Sequence, residues 1–180
     1  MHKRLVATLA LAAVALAACS SGGAEPAASA SGSSSPQEGT AAMGLTDDAV
    51  VTFSFQDSSV PPQYHRSYQL TVRADESRIV VDSYGDVLAD ETVPTDPAVW
   101  AALGEGMAPL VDLTADTVEQ GCTGGTTTSL VVEEAGAPVI DLYLDQCAGA
   151  NEAPTEAIRA WIAPARDQFP PMSELAPEGE

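Results

Sequence analysis

Lysine is almost missing from this 180-residue chain: the only one is Lys3. Histidine occurs twice, at His2 and His65, cysteine three times, and aromatic residues make up 5% of the sequence. Each scarcity excludes a class of function. Seven basic residues stand against 26 acidic ones, for a net charge of −19. Nucleic-acid binding rests on Lys and Arg neutralising phosphates, so no nucleic-acid partner is expected. A phosphate loop ending in Gly-Lys-Ser or Gly-Lys-Thr has no lysine to use. Gly121-Cys122-Thr123-Gly124-Gly125-Thr126 is rich in glycine and hydroxyls, and it reads as a turn. A Ser-His-Asp triad would depend on His65, and no Gly-x-Ser-x-Gly elbow is present. Zinc needs three or four protein ligands, more than one histidine and a tied cysteine pair supply. The carboxylates form no Asp-x-Asp-x-Asp-Gly loop and no glycine-rich nonapeptide repeat, so they read as a solvated surface. No metal, no cofactor and no enzymatic activity are expected.

Runs of apolar residues long enough to span a membrane, about 20 residues, are also missing. The longest, Leu5 to Leu16, is broken only by Thr8 and follows the basic His2-Lys3-Arg4. Its length suits the apolar region of a signal peptide. It runs into Leu16-Ala17-Ala18-Cys19 and then Ser20-Ser21-Gly22-Gly23. Leu16 to Cys19 resembles the lipobox of bacterial lipoproteins, and the serines and glycines resemble the flexible sequel of that family. The resemblance covers roughly the first 23 residues. It implies removal of residues 1–18, a diacylglycerol on the Cys19 thiol, and a place on the extracytoplasmic face of the cell membrane. Each buried methylene contributes about 0.8 kcal/mol, so two acyl chains hold without help from a basic patch. The use of Arg, Ala, Gly and Pro with almost no Lys resembles proteins of high-G+C Gram-positive bacteria.

Residues 19–42 are expected as the lipidated cysteine and a disordered tether of Ser, Ala and Gly, interrupted by Pro26 and Pro36. Such a segment cannot bury enough surface to offset its ordering entropy. As a coil it spans about 26 Å and stands a domain off the membrane. One globular domain is expected over residues 43–172, with an acidic tail over 173–180 that has little to order it.

Within the domain, Val51, Phe53 and Phe55 alternate with polar residues, the period of a half-buried strand. Tyr68, Leu70 and Val72 alternate again, and Ile79 to Val81 follow a turn at Ala74-Asp75-Glu76-Ser77. A hairpin with Arg73 opposite Arg78 puts Val72 opposite Ile79 and Leu70 opposite Val81. Asp96 caps a first helix, Pro97 suits its first turn, and Val99, Trp100, Leu103 and Met107 form its stripe. Pro109 is expected to stop it, and Leu110 to Leu113 reads as a short strand or a link. A second hairpin joins 126–133 to 139–144 around Ala135-Gly136. A last helix runs from about Pro154 to Trp161 or beyond, with Ile158, Trp161 and Ile162 as its stripe, and Pro164 ends or kinks it. The order predicts an α+β domain: an antiparallel sheet of about five strands, from a lone strand and two hairpins, with two helices on one face.

With Cys19 lipidated, Cys122 and Cys147 remain as a pair in an oxidising compartment. Extending the second hairpin brings Cys122 within two or three positions of the point opposite Cys147. A disulfide at its open end is therefore expected.

Ser58 to Tyr68 gathers two prolines, two tyrosines, His65 and one of the five arginines beyond residue 18. Its Pro61-Pro62-Gln63-Tyr64 matches a WW-domain ligand motif, which has no meaning on an exported bacterial protein. Prolines lower the ordering cost of binding, and Tyr and Arg are enriched at interface hot spots. Val60, Pro61, Pro62, Tyr64, His65, Arg66 and Tyr68 are therefore the candidate partner-binding residues. The bland alternative is a loop whose tyrosines pack on the sheet while Arg66 pairs with a carboxylate. The leading expectation is a non-enzymatic, lipid-anchored binding or structural module with an envelope protein or ligand as partner. The alternatives are an inhibitor of an extracellular hydrolase, acting through Val60-Pro61-Pro62, and an enzyme using His65 and Arg66.

Overall fold

Period-two alternation sets the sheet, and the computed structural model describes it over residues 44–118 and 122–177. The expected signal peptide, Cys19, the tether and the last three residues lie outside the described residues. Six strands form one antiparallel sheet: β1 (Val50–Gln56), β2 (Ser67–Val72), β3 (Glu76–Ser83), β4 (Asp86–Pro94), β5 (Thr126–Glu134) and β6 (Ala137–Gln146). Their spatial order is β4-β3-β2-β1-β5-β6. β1 lies between β2 and β5, so one strand joins the two halves of the sequence.

The sixth strand corrects the expected count of about five. β4 is an edge strand with almost every residue exposed, so its sequence needs no apolar alternation. Asp86, Asp90 and Glu91 charge that edge, which discourages pairing with another chain. It joins β3 through Tyr84-Gly85, with φ of 53° and 93°. Two positive φ values in a two-residue loop match the twist of the flanking strands.

The β2–β3 hairpin forms with a different register. Leu70 faces Ile79 and Tyr68 faces Val81, two positions from the expected pairing. A slip of two keeps every side chain on its face, so apolar periodicity cannot tell the registers apart. The β5–β6 hairpin has the expected face: Leu130 opposite Leu142 and Val132 opposite Ile140.

Helices cover one face of the sheet. In α1 (Pro97–Gly106), Asp96 caps as expected, its Oδ1 accepting the Ala98 N–H at 2.8 Å. Pro109 does not end helical structure. It sits in the first turn of α2 (Ala108–Val111), where a missing N–H is harmless, so Leu110 and Val111 are helical rather than extended. α3 (Glu152–Arg166) buries Ile158, Ile162 and Ala165 and runs past Trp161 and through Pro164 to Arg166. Trp161 is only half-buried, and its indole N–H reaches the Leu103 carbonyl of α1 at 2.9 Å. One core joins Val51, Phe53, Leu70, Ile79 and Leu130 of the sheet to Leu103, Leu110, Ile158 and Phe169.

The described part of the expected acidic tail is docked. α4 (Met172–Leu175) follows Pro171, and Leu175 and Ala176 are buried. The apolar Met172, Leu175 and Ala176 explain this: they continue the core beyond Phe169.

The expected disulfide is present. Cys122 and Cys147 are bridged with Cα atoms 5.6 Å apart, closing the open end of the β5–β6 hairpin.

Candidate functional site

The loop between β1 and β2 carries the candidate residues, and its neighbours fix it in place. Asp57 opens it: Oδ1 accepts the Ser58 N–H at 2.7 Å and Oδ2 accepts the Arg66 N–H at 2.9 Å. One carboxylate thus closes the loop on itself. Pro61 to Tyr64 form a tight turn, with the Tyr64 N–H donating to the Pro61 carbonyl at 2.9 Å. The β3–β4 turn supplies a second hold. Ser83 Oγ donates to the Pro62 carbonyl at 2.7 Å, and the Tyr84 hydroxyl donates to the Val60 carbonyl at 2.6 Å.

Arg66 supplies a third hold. Nη1 donates to the His65 carbonyl at 2.6 Å and Nη2 to the Gln63 carbonyl at 3.0 Å. Nε donates to the Ala176 carbonyl at 2.8 Å and Nη2 to the Pro177 carbonyl at 2.7 Å. Four of the five guanidinium N–H groups are therefore engaged. The partners are carbonyls, where the sequence suggested a carboxylate. Arg66 clasps its own loop to the C-terminal segment, and Met172, Ser173, Ala176 and Pro177 line a shallow depression beside it.

His65 is buried, and its ring stacks on Tyr84 at 3.9 Å between centroids. Its Nε2 lies 3.3 Å from Ser67 Oγ, which accepts the Asp57 N–H at 3.0 Å; the ring tautomer decides which of the two donates. Nδ1 is buried with no hydrogen-bond partner among the described residues. Ser67 is 4% exposed. A catalytic serine needs access and a base oriented by a third group, and this pair shows neither.

The two tyrosines of the loop part ways. Tyr68 turns to the helix side and packs on Phe53 and Phe55, each 5.7 Å between centroids. Burial pushes its phenol above the ordinary value of 10.0, while Arg166 and Arg159 pull it back. Arg159 lies over the Phe55 ring at 5.1 Å. Tyr64 is 49% exposed. Tyr84, which sequence reasoning missed, is 56% exposed and stacks on His65, the residue after Tyr64. Pro61, Pro62 and Gln63 are also exposed. The structure thus brings Pro61, Pro62, Tyr64, His65 and Arg66 together with Tyr84, half-buries Val60, and sends Tyr68 inward. No sequence signal marked Tyr84, because Tyr-Gly is not a usual hairpin pair and β4 shows no apolar alternation.

Among the described residues, no group of three or more His, Cys, Asp and Glu could hold a metal ion. No described helix is long and apolar enough to cross a membrane. No protein-family model, curated protein or solved structure matches this chain.

Proposed function

We propose that this protein is a lipid-anchored, non-enzymatic module of the cell envelope that presents the 57–66 loop to a protein partner. The observation that carries the reading is the immobilised loop with exposed Tyr64, held by the β3–β4 turn that carries exposed Tyr84. Asp57, Arg66, Ser83 and Tyr84 fix its backbone, so little conformational entropy is left to lose on binding. Tyr64 and Tyr84 supply large, stiff contact area at low entropic cost.

The hydrolase-inhibitor reading draws less support. An inhibitory loop that mimics substrate presents extended backbone with free carbonyls. Here the Val60 and Pro62 carbonyls are taken by Tyr84 and Ser83, and residues 61–64 make a turn. The test is co-purification from cross-linked cells with wild-type, Tyr64→Ala and Tyr84→Phe proteins. A discrete partner lost with Tyr64→Ala, at an unchanged melting temperature, supports the reading. The same partners recovered with all three proteins would refute it.

A further inference from the structure

The sheet face turned away from the helices has a chemistry unlike the rest of the chain. Its three central strands present Gln69 and Thr71 on β2, Thr52, Ser54 and Gln56 on β1, and Thr127 and Ser129 on β5. Register sets them side by side. Gln69, Ser54, Ser129 and Tyr143 form one row across four strands, and Thr71, Thr52 and Val131 form the next. All seven hydroxyl and amide side chains are uncharged, in a protein of net charge −19. The ionic groups of this face sit at its rim. Arg78 and Asp90 neutralise each other at 2.6 Å, Glu76, Glu133, Asp141 and Asp145 mark the borders, and Asp82 stands at the loop end of β3, opposite Ser67.

Six of these seven polar side chains are free. Thr127 donates to Asp145 at 3.0 Å, and the other six make no side-chain hydrogen bond among the described residues. Ser54, Gln56, Gln69, Val80 and Asp82 border a shallow depression of about 280 Å³. At the end of its row Tyr143 is 63% exposed, with its ring on the open face.

We propose that this face binds an uncharged polysaccharide lying across β2, β1 and β5, with one sugar ring on Tyr143. Hydroxyl and carboxamide groups both donate and accept, which matches the paired hydroxyls of a sugar. The apolar face of a sugar ring covers an exposed aromatic ring. The row from Gln69 to Tyr143 crosses three strand spacings, about 14 Å, the length of a short oligosaccharide. Charge selects among polymers: a neutral chain meets no repulsion, whereas a polyanion meets the whole field of the protein. A protein partner fits less well, because interface cores are largely apolar and contiguous, whereas here Tyr143 stands at the end of a polar row and the half-buried Val50, Val80 and Val131 are separated by Thr and Ser. The proposal is independent of the loop described above, which lies at the end of the strands.

The test is affinity electrophoresis of the full-length protein in detergent, through native gels cast with dextran, mannan, arabinogalactan or the polyanion alginate. At least one neutral polymer should retard the protein, and alginate should not. Tyr143→Ala and Ser54→Asp should each weaken retardation about tenfold at an unchanged melting temperature, and Tyr64→Ala should leave it intact. Tyr143 is exposed, so its variant keeps the test interpretable if Ser54→Asp misfolds. No retardation by any neutral polymer, equal retardation by alginate, or full retardation of Tyr143→Ala would overturn the proposal.

Discussion

Replacing Cys122 and Cys147 together by serine should destabilise the domain by about 3.5 kcal/mol. The bridge spans 25 positions, and the chain-entropy relation assigns that figure to a loop of this length. For a folded unit of about 130 residues it corresponds to a fall of about 13 °C in Tm. Gly125 offers a sharper probe of the same feature. A Cβ there would lie 2.8 Å from Cys122 Sγ, 3.1 Å from Cys147 Sγ and 3.1 Å from the Gln146 carbonyl oxygen. The bridge therefore lies flush on the Gly125 backbone. Gly125→Ala should cost about 1–3 kcal/mol while the bridge is intact, by overpacking. In the double-serine background the chain ends can part, and most of that penalty should vanish. Urea unfolding of the four proteins completes the cycle. A double-serine variant as stable as wild type, or a Gly125→Ala cost equal in both backgrounds, would refute the reasoning.

Arg66→Ala should lower stability by roughly 1–3 kcal/mol, since it frees four carbonyls on two segments. Hydrogen exchange should quicken at both 58–66 and 172–177, and Arg66→Lys should not restore it, because a single ammonium cannot span both segments; unchanged exchange at 172–177 contradicts the clasp. Thr128→Val should raise stability by about 1 kcal/mol, because the buried Thr128 hydroxyl has no partner among the described residues; a loss of stability in calorimetry would reveal one. Tyr68 holds its proton more tightly folded than unfolded, so its contribution to stability is whole below pH 10.0 and is lost as pH rises through the folded value. Tyr68→Phe should flatten that alkaline decline, and an identical decline in both proteins would remove Tyr68 as its source.

Legibility in the sequence followed burial. The strands that bury alternate residues, β1, β2, β3, β5 and β6, carry a period that can be read directly. So does α1, because Asp96 and Pro97 mark its start. β4 was not legible: an edge strand with both faces exposed leaves no apolar pattern. Register between β2 and β3 was only half legible, since period two fixes the face and not the pairing. The helix at Pro109 ran against expectation because that proline sits in the first turn of α2, where its missing N–H is harmless, whereas α3 ends two residues after Pro164. The candidate loop was visible as a run of unusual residue types. Its fixation was not, because the holds come from Ser83, Tyr84 and the carbonyls of residues 176 and 177, remote in sequence. Arg66 illustrates the difference: composition marked it as a contact residue, and the structure turns it inward onto carbonyls.

The most direct test of the central claim is site-specific photo-cross-linking in living cells, with a photo-reactive residue at Gln63 or, as a control, at Glu133. Gln63 is exposed at the tip of the loop, and Glu133 pairs with Val50 at the far end of the sheet. Amine-reactive reagents are unsuited, because no lysine follows Lys3. The account predicts a discrete protein adduct from Gln63, missing from Glu133 and reduced by Tyr64→Ala. Identical adducts from both positions, or none from Gln63, would contradict it.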